Sequence, residues 1–167
     1  MTAELNRQIE NLIRFGTIAE VDHQQRRARV QSGKILTDWL PWVAFRAGTT
    51  KIWSPVNVGE QCLILAANGE LTTAVILSAI FSLAHDTPSY SPDEHVIEFA
   101  DGAKILYNQA SSALNVTGIK TAHIVASESV TAETPKVICT QDVEIGGNLL
   151  VKGGMTTNGS ATIQGSP

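Results

Sequence analysis

Few residues of this 167-residue chain have both the type and the neighbours that chemistry requires. Asp22 and His23 are adjacent and Arg26 follows three positions later, a set that could in principle hold and pass a proton. In an extended segment, however, adjacent side chains leave opposite faces, so the pair does not converge on one substrate. Cys62 and Cys139 fit no metal-ligand spacing and lie in apolar, strand-like runs, so both read as buried thiols. The four histidines, His23, His85, His95 and His123, stand apart from one another, and His123 falls between the inward-facing Ala122 and Ile124, which turns it outward. No serine or cysteine has a base at a usable spacing, and the acids form no pair at a pocket. The sequence is not that of an enzyme, and no catalytic, cofactor-binding or metal-ligating residue is assigned.

Charge removes a second class. Up to Leu83 eight Lys/Arg stand against seven Asp/Glu, and from Ala84 onward four stand against nine. A nucleic-acid footprint needs clustered basic residues facing phosphates. The one cluster, Arg26-Arg27-Ala28-Arg29, reads as a turn followed by solvent-facing strand positions. There is no apolar h-region at the N-terminus, and the apolar stretch around Ala74–Ala84 is too short to cross a bilayer. Synthesis in a reducing cytoplasm is the expectation.

The elements fall into four parts. Leu5, Ile9, Leu12 and Ile13 recur at helical spacing, predicting a short amphipathic helix over 3–14 within an N-terminal segment 1–14. Residues 15–83 read as a small closed barrel of the OB type: GTIAEVD and ARVQSG as a first hairpin, then ILTDWLPWVAF, then VGEQCLILAA. Asn68-Gly69 is expected to turn the last of these directly into ELTTAVILSAIF. Trp39, Trp42 and Trp53 fall within fifteen residues and are assigned to the barrel core or an interface between subunits. Residues 84–94, AHDTPSYSPDE, read as a linker, and HVIEFADGAKILYN as a hairpin turning at Asp101-Gly102.

Beyond Tyr107 there is no Phe, Tyr or Trp, and a regular beat takes over. Apolar or small residues recur as i, i+2 pairs: Leu114/Val116, Ala122/Ile124, Val130/Ala132, Val137/Cys139, Val143/Ile145, Leu149/Val151, Met155/Thr157 and Ala161/Ile163. That spacing puts both members on one strand face. The pairs begin 8, 8, 7, 6, 6, 6 and 6 residues apart, the signature of a tapering stack of short strands. One pair buries enough for roughly 2–4 kcal/mol, against about 1–2 kcal/mol of backbone entropy for every residue ordered. A single chain cannot offset that cost. Three chains around one axis can, because each face meets two equivalents. The residues expected at the trimer axis are Leu114, Val116, Ala122, Ile124, Val130, Val137, Cys139, Val143, Ile145, Leu149, Val151, Met155 and Ile163. The fold class is therefore all-β: a short helix, an OB barrel, and over 95–167 a trimeric triple-stranded β-helix.

Four runs, NLIRFGTIAEVD, LTDWLPWVAFRAG, WSPVNVGEQCLIL and FADGAKILY, resemble the baseplate assembly protein V family, the central spikes of contractile phage tails and R-type tailocins. The resemblance implies a homotrimer whose OB domain docks under the tail hub protein of the baseplate. Its β-helix is then the part that sheath contraction drives through the bacterial outer membrane. It places the protein in a virion tail or tailocin baseplate, assembled in the host cytoplasm, with no nucleic-acid partner. Many members carry an apex His-x-His motif that holds iron; no two histidines here have that spacing, so no cofactor is expected. The rhythm still runs at GSATIQGSP. The expectation is an apex missing from this sequence, the alternative a separate tip protein over an open end.

Two rivals come from other classes. A single-chain left-handed hexapeptide β-helix, as in acyltransferases, shares the six-residue beat of Leu149 to Ile163, but needs strict hexads over many more turns. An OB-type nucleic-acid binder would use the three tryptophans as stacking platforms; their setting among Leu40, Pro41, Val43 and Phe45 favours packing instead.

Overall fold

A computed structural model describes residues 2–162. The chain divides into two units, Met1–Thr121 and Ala122–Pro167. Helix α1 spans Ala3–Leu12 and is capped by Thr2, whose hydroxyl accepts from the Leu5 amide at 3.3 Å. It is two residues shorter than its apolar periodicity implies. Ile13 is already extended and pairs with Leu65, while the Leu12 carbonyl accepts from Ala66 N at 3.0 Å. Sheet pairing takes the last apolar positions from the helix.

Six strands follow: β1 Ile13–Asp22, β2 Arg27–Ser32, β3 Ile35–Leu36, β4 Leu40–Pro41, β5 Gln61–Leu65 and β6 Val75–Ile80. Their antiparallel order is β3-β2-β1-β5-β6, with β4 also pairing with β2. The ring closes where Trp42, just past β4, forms a parallel bridge to Ile76, and Val43 N donates to Ile76 O at 2.8 Å. This closed sheet is the expected barrel. Its interior holds Ile18, Ala28, Val30, Leu40, Val56, Cys62, Ile64, Ala66, Ala74 and Ile76, all buried. On β2 the alternation is plain: Ala28, Val30 and Ser32 face inward, while Arg27, Arg29 and Gln31 face outward. Gly16 on β1 is required by close approach, since a Cβ there would lie 2.3 Å from Val30 Cγ1.

The connection from β5 to β6 differs from the direct turn expected at Asn68-Gly69. Nine residues, 66–74, join the two strands through two 3-10 turns. Asn68 and Gly69 do take left-handed conformations, with φ of 58° and 70°. Their turn is used to receive the helix: a Cβ on Gly69 would stand 2.4 Å from Gln8 O, and Arg7 Nη2 meets Glu70 Oε1 at 2.9 Å. The hairpin signal is genuine, but helix docking determines where the strands resume.

Residues 84–93 run as successive hydrogen-bonded turns, with Thr87 Oγ1 donating to Ser89 O at 2.8 Å and Ser89 Oγ to Glu94 Oε2 at 2.6 Å. A second antiparallel sheet then forms from β7 Glu94–Glu98, β8 Lys104–Asn108 and β9 Ala113–Thr117, in that order. The turn between β7 and β8 centres on Asp101-Gly102 as expected, with Gly102 at φ 88° and Gly102 N donating to Phe99 O at 2.9 Å.

In the second unit, none of residues 122–162 lies in a strand and every one is exposed. Ile163 and the remaining C-terminal residues lie outside the described residues.

Candidate functional site

The small chemical groups serve structure. Asp22 Oδ1 accepts from Gln25 N at 2.9 Å, closing the turn between β1 and β2, and His23 is exposed on that turn. Arg26 sits in the turn with positive φ. Arg29 bonds the Thr37 carbonyl at 2.9 Å and Glu20 at 2.9 Å, so the basic cluster is a turn and a strand face. His85 packs over Gly59: a Cβ there would lie 2.9 Å from His85 Nε2. Tyr90 donates to Asp86, which holds that carboxyl below its ordinary range and raises the phenol. Cys62 is buried, and desolvation followed by the nearby Glu60 pushes its thiol up to about 11. Cys139 is exposed in the single chain, where the run that carries it has no partner strand. Among the described residues no group of three or more His, Cys, Asp or Glu could hold a metal, and no helix is long and apolar enough to cross a membrane.

The tryptophans separate. Trp42 packs against the barrel core and meets Trp53 at a centroid distance of 5.8 Å, while Trp39 and Trp53 stay exposed. The Arg29 guanidinium lies 5.9 Å from the Trp39 ring centre, engaging one face of that ring.

What the molecule offers is unpartnered apolar surface. Leu114 and Val116 on β9 are exposed, as are Ile124, Val130, Val137, Val143, Ile145, Leu149, Val151 and Met155 in the second unit, together with the smaller Ala122. So many exposed apolar side chains are expected where another chain covers them. The outer wall of the barrel carries a further set. Cross-strand registers align Ile13, Leu65 and Val75 in one row and Phe15, Leu63 and Leu77 in the next. None of these is fully buried. The sequence signal for this second apolar face is Leu63, Leu65, Val75 and Leu77 at the alternate positions of β5 and β6.

Comparison with known proteins decides what such surfaces belong to. Residues 14–81 match the type VI secretion system/phage-baseplate injector OB domain, and residues 118–166 match the phage spike trimer family. The spike protein of Escherichia phage P2 is 45% identical over 172 residues, which cover 94% of this chain and 81% of that protein. The chain belongs to the phage baseplate spike family. Its first family match coincides with β1–β6, the closed barrel, and the second begins one residue after β9 ends. As a member of the spike family it is a structural part of a phage tail baseplate and not an enzyme.

Proposed function

We propose that three copies of this chain form the central spike of a contractile tail baseplate. In this reading the distal residues pack around a shared axis as a triple-stranded β-helix, and sheath contraction drives that shaft through the bacterial outer membrane. The observation that carries it is the state of residues 122–162. They expose their entire apolar set in one chain, in a segment matching the spike trimer family. The axis residues are Leu114, Val116, Ala122, Ile124, Val130, Val137, Cys139, Val143, Ile145, Leu149, Val151, Met155 and Ile163. The barrel docks on the tail hub, and assembly takes place in the host cytoplasm. No two of the four histidines have His-x-His spacing, so none of these residues is assigned to a metal.

The single-chain hexapeptide helix is less well supported, because such a fold buries its own repeat residues and none of residues 122–162 is buried. Light scattering on the purified chain tests the proposal. The expected mass is three times the 17.9 kDa of one chain. A mass of one chain with residues 122–162 protected from proteolysis overturns it.

A further inference from the structure

Within the first unit, a groove of about 1100 Å³ runs between the 43–56 loop, the end of β6, the 81–88 turns and strand β7. Phe45, Ile52, Leu77, Phe81, Ile97 and Phe99 line it, and all six remain exposed. Its carboxylates are Glu60, Asp86 and Glu98, and no Lys or Arg lines it among the described residues. Glu98 is paired with Lys104 at 3.2 Å, whereas Asp86 and Glu60 accept only from the neutral Tyr90, Thr87 and Asn57. The groove is thus apolar with a residual negative charge, and no described residue of the first unit fills it.

We infer that a second copy of this chain packs into this groove, so that contact between copies extends upstream of the distal segment into the barrel half. Two observations identify the occupant. The first is charge. Residues 45–52 fold back as a short arm, with Ile52 N donating to Arg46 O at 3.0 Å and Ala47 bridging Lys51. The arm carries Arg46 and Lys51, both exposed and neither ion-paired among the described residues, alongside the bulky Phe45 and Ile52. Phe45 and Ile52 line the groove of their own copy, so it is the basic pair that complements the groove's residual negative charge, and a head-to-tail contact between arm and groove can close into a ring of copies. The second is continuity. One groove wall is β7, part of the β7-β8-β9 sheet, and the chain passes from β9 at Thr117 straight into the residues that match the spike trimer family. Copies gathered by the distal segment are therefore held together immediately downstream of this sheet.

The inference rests on the trimeric reading, and hydroxyl-radical footprinting of the full chain separates the two. Labelling of each phenylalanine is read by mass spectrometry relative to the same chain unfolded in urea, with light scattering on the same sample. In one chain Phe45, Phe81 and Phe99 are 81%, 67% and 51% exposed, beside 73% for Phe15 on the outer barrel wall. In the trimer, Phe45, Phe81 and Phe99 are expected to label at least about 5-fold more slowly than when unfolded, as in the dry centre of an interface. A trimer in which all three label within about 2-fold of the unfolded rate overturns the groove contact and leaves the trimer standing, with the groove open to another baseplate protein. A single-chain mass overturns both. The double substitution Arg46→Glu with Lys51→Glu tests the arm. Faster labelling of Phe81 and Phe99 at unchanged trimer mass supports its placement, and unchanged protection overturns it.

Discussion

Leu149 and Leu150 provide the sharpest test of the trimeric shaft, because they are chemically identical neighbours with opposite assignments. In a single chain they are 65% and 77% exposed, so nothing within one copy distinguishes them. The i, i+2 beat places Leu149 with Val151 on the axis and turns Leu150 to solvent. Burying the free two-thirds of Leu149 removes on the order of 100 Å² from water, worth roughly 2.5 kcal/mol at 25 cal/mol per Å². Leu149→Ala also leaves a cavity, so a cost of about 2–4 kcal/mol per chain follows, or about 6–12 kcal/mol for three copies. Even the lower figure weakens the equilibrium between trimer and separate chains by roughly 10⁴-fold. Leu150→Ala removes a solvent-facing side chain and is expected to change stability by no more than about 0.5 kcal/mol per chain. Denaturant titration of the full chain, followed by light scattering, measures both. Equal losses for the two variants, or a larger loss for Leu150→Ala, refute the face assignment and the three-chain interior built on it.

Further predictions concern the barrel and the thiols. Gly16→Ala forces a methyl against Val30 Cγ1, and is expected to cost about 1–3 kcal/mol of barrel stability, read from the near-ultraviolet circular dichroism of the tryptophans during urea unfolding. Gly69→Ala combines a positive φ with a backbone clash at Gln8 and should release helix α1; hydrogen exchange over residues 3–12 then accelerates while β1–β6 stay protected. At pH 8 only roughly one Cys62 in a thousand is a thiolate, so it resists a thiol reagent until the barrel unfolds. Cys139, exposed in one chain, should react on dissociation of the trimer and be shielded within it; rapid reaction in an intact trimer removes it from the axis. Unfolding of the distal segment is expected to shift with protein concentration, which a dilution series of thermal melts resolves.

What the sequence made legible was local periodicity. The run Arg27 to Ser32 alternates cleanly and forms β2, and Asp101-Gly102 turns β7 into β8 where the dipeptide indicates. Long-range partners were the illegible part. Asn68-Gly69 carries the usual hairpin chemistry, but Gln8, sixty residues away, decides what that turn is for. The closure of the barrel through Trp42 and Ile76 joins residues 34 positions apart, beyond the reach of local periodicity. Trp39, Trp42 and Trp53 look alike in sequence, yet only Trp42 reaches the core, because only it lies at the bridge that seals the ring. The exposed apolar residues of 122–162 are readable in the sequence as a pattern of pairs. The apolar groove was not, since its walls come from four separate stretches between residues 43 and 102.

The contrast between the two units explains why one chain carries two kinds of sequence. The barrel hides ten core residues behind its own closed sheet, with branched aliphatic side chains and a tryptophan bulky enough to fill it. It satisfies its buried polar groups internally: Thr37 exchanges two hydrogen bonds with Val30, and Ser32 donates to Phe15 O at 2.7 Å. Such a unit can fold before it meets another copy. The distal segment has no side chain larger than Leu, Met or Lys and keeps none of its described residues from water. Adding aromatic bulk there would supply burial within one chain, but it would not fit beside a threefold axis, where three identical side chains meet. The sparse pairs are therefore what a shared interior requires, and dependence on sister chains is the consequence. If three copies wind together as proposed, the strands of this segment take their backbone bonds from neighbouring chains, which ties the shaft's stiffness to the completeness of the trimer.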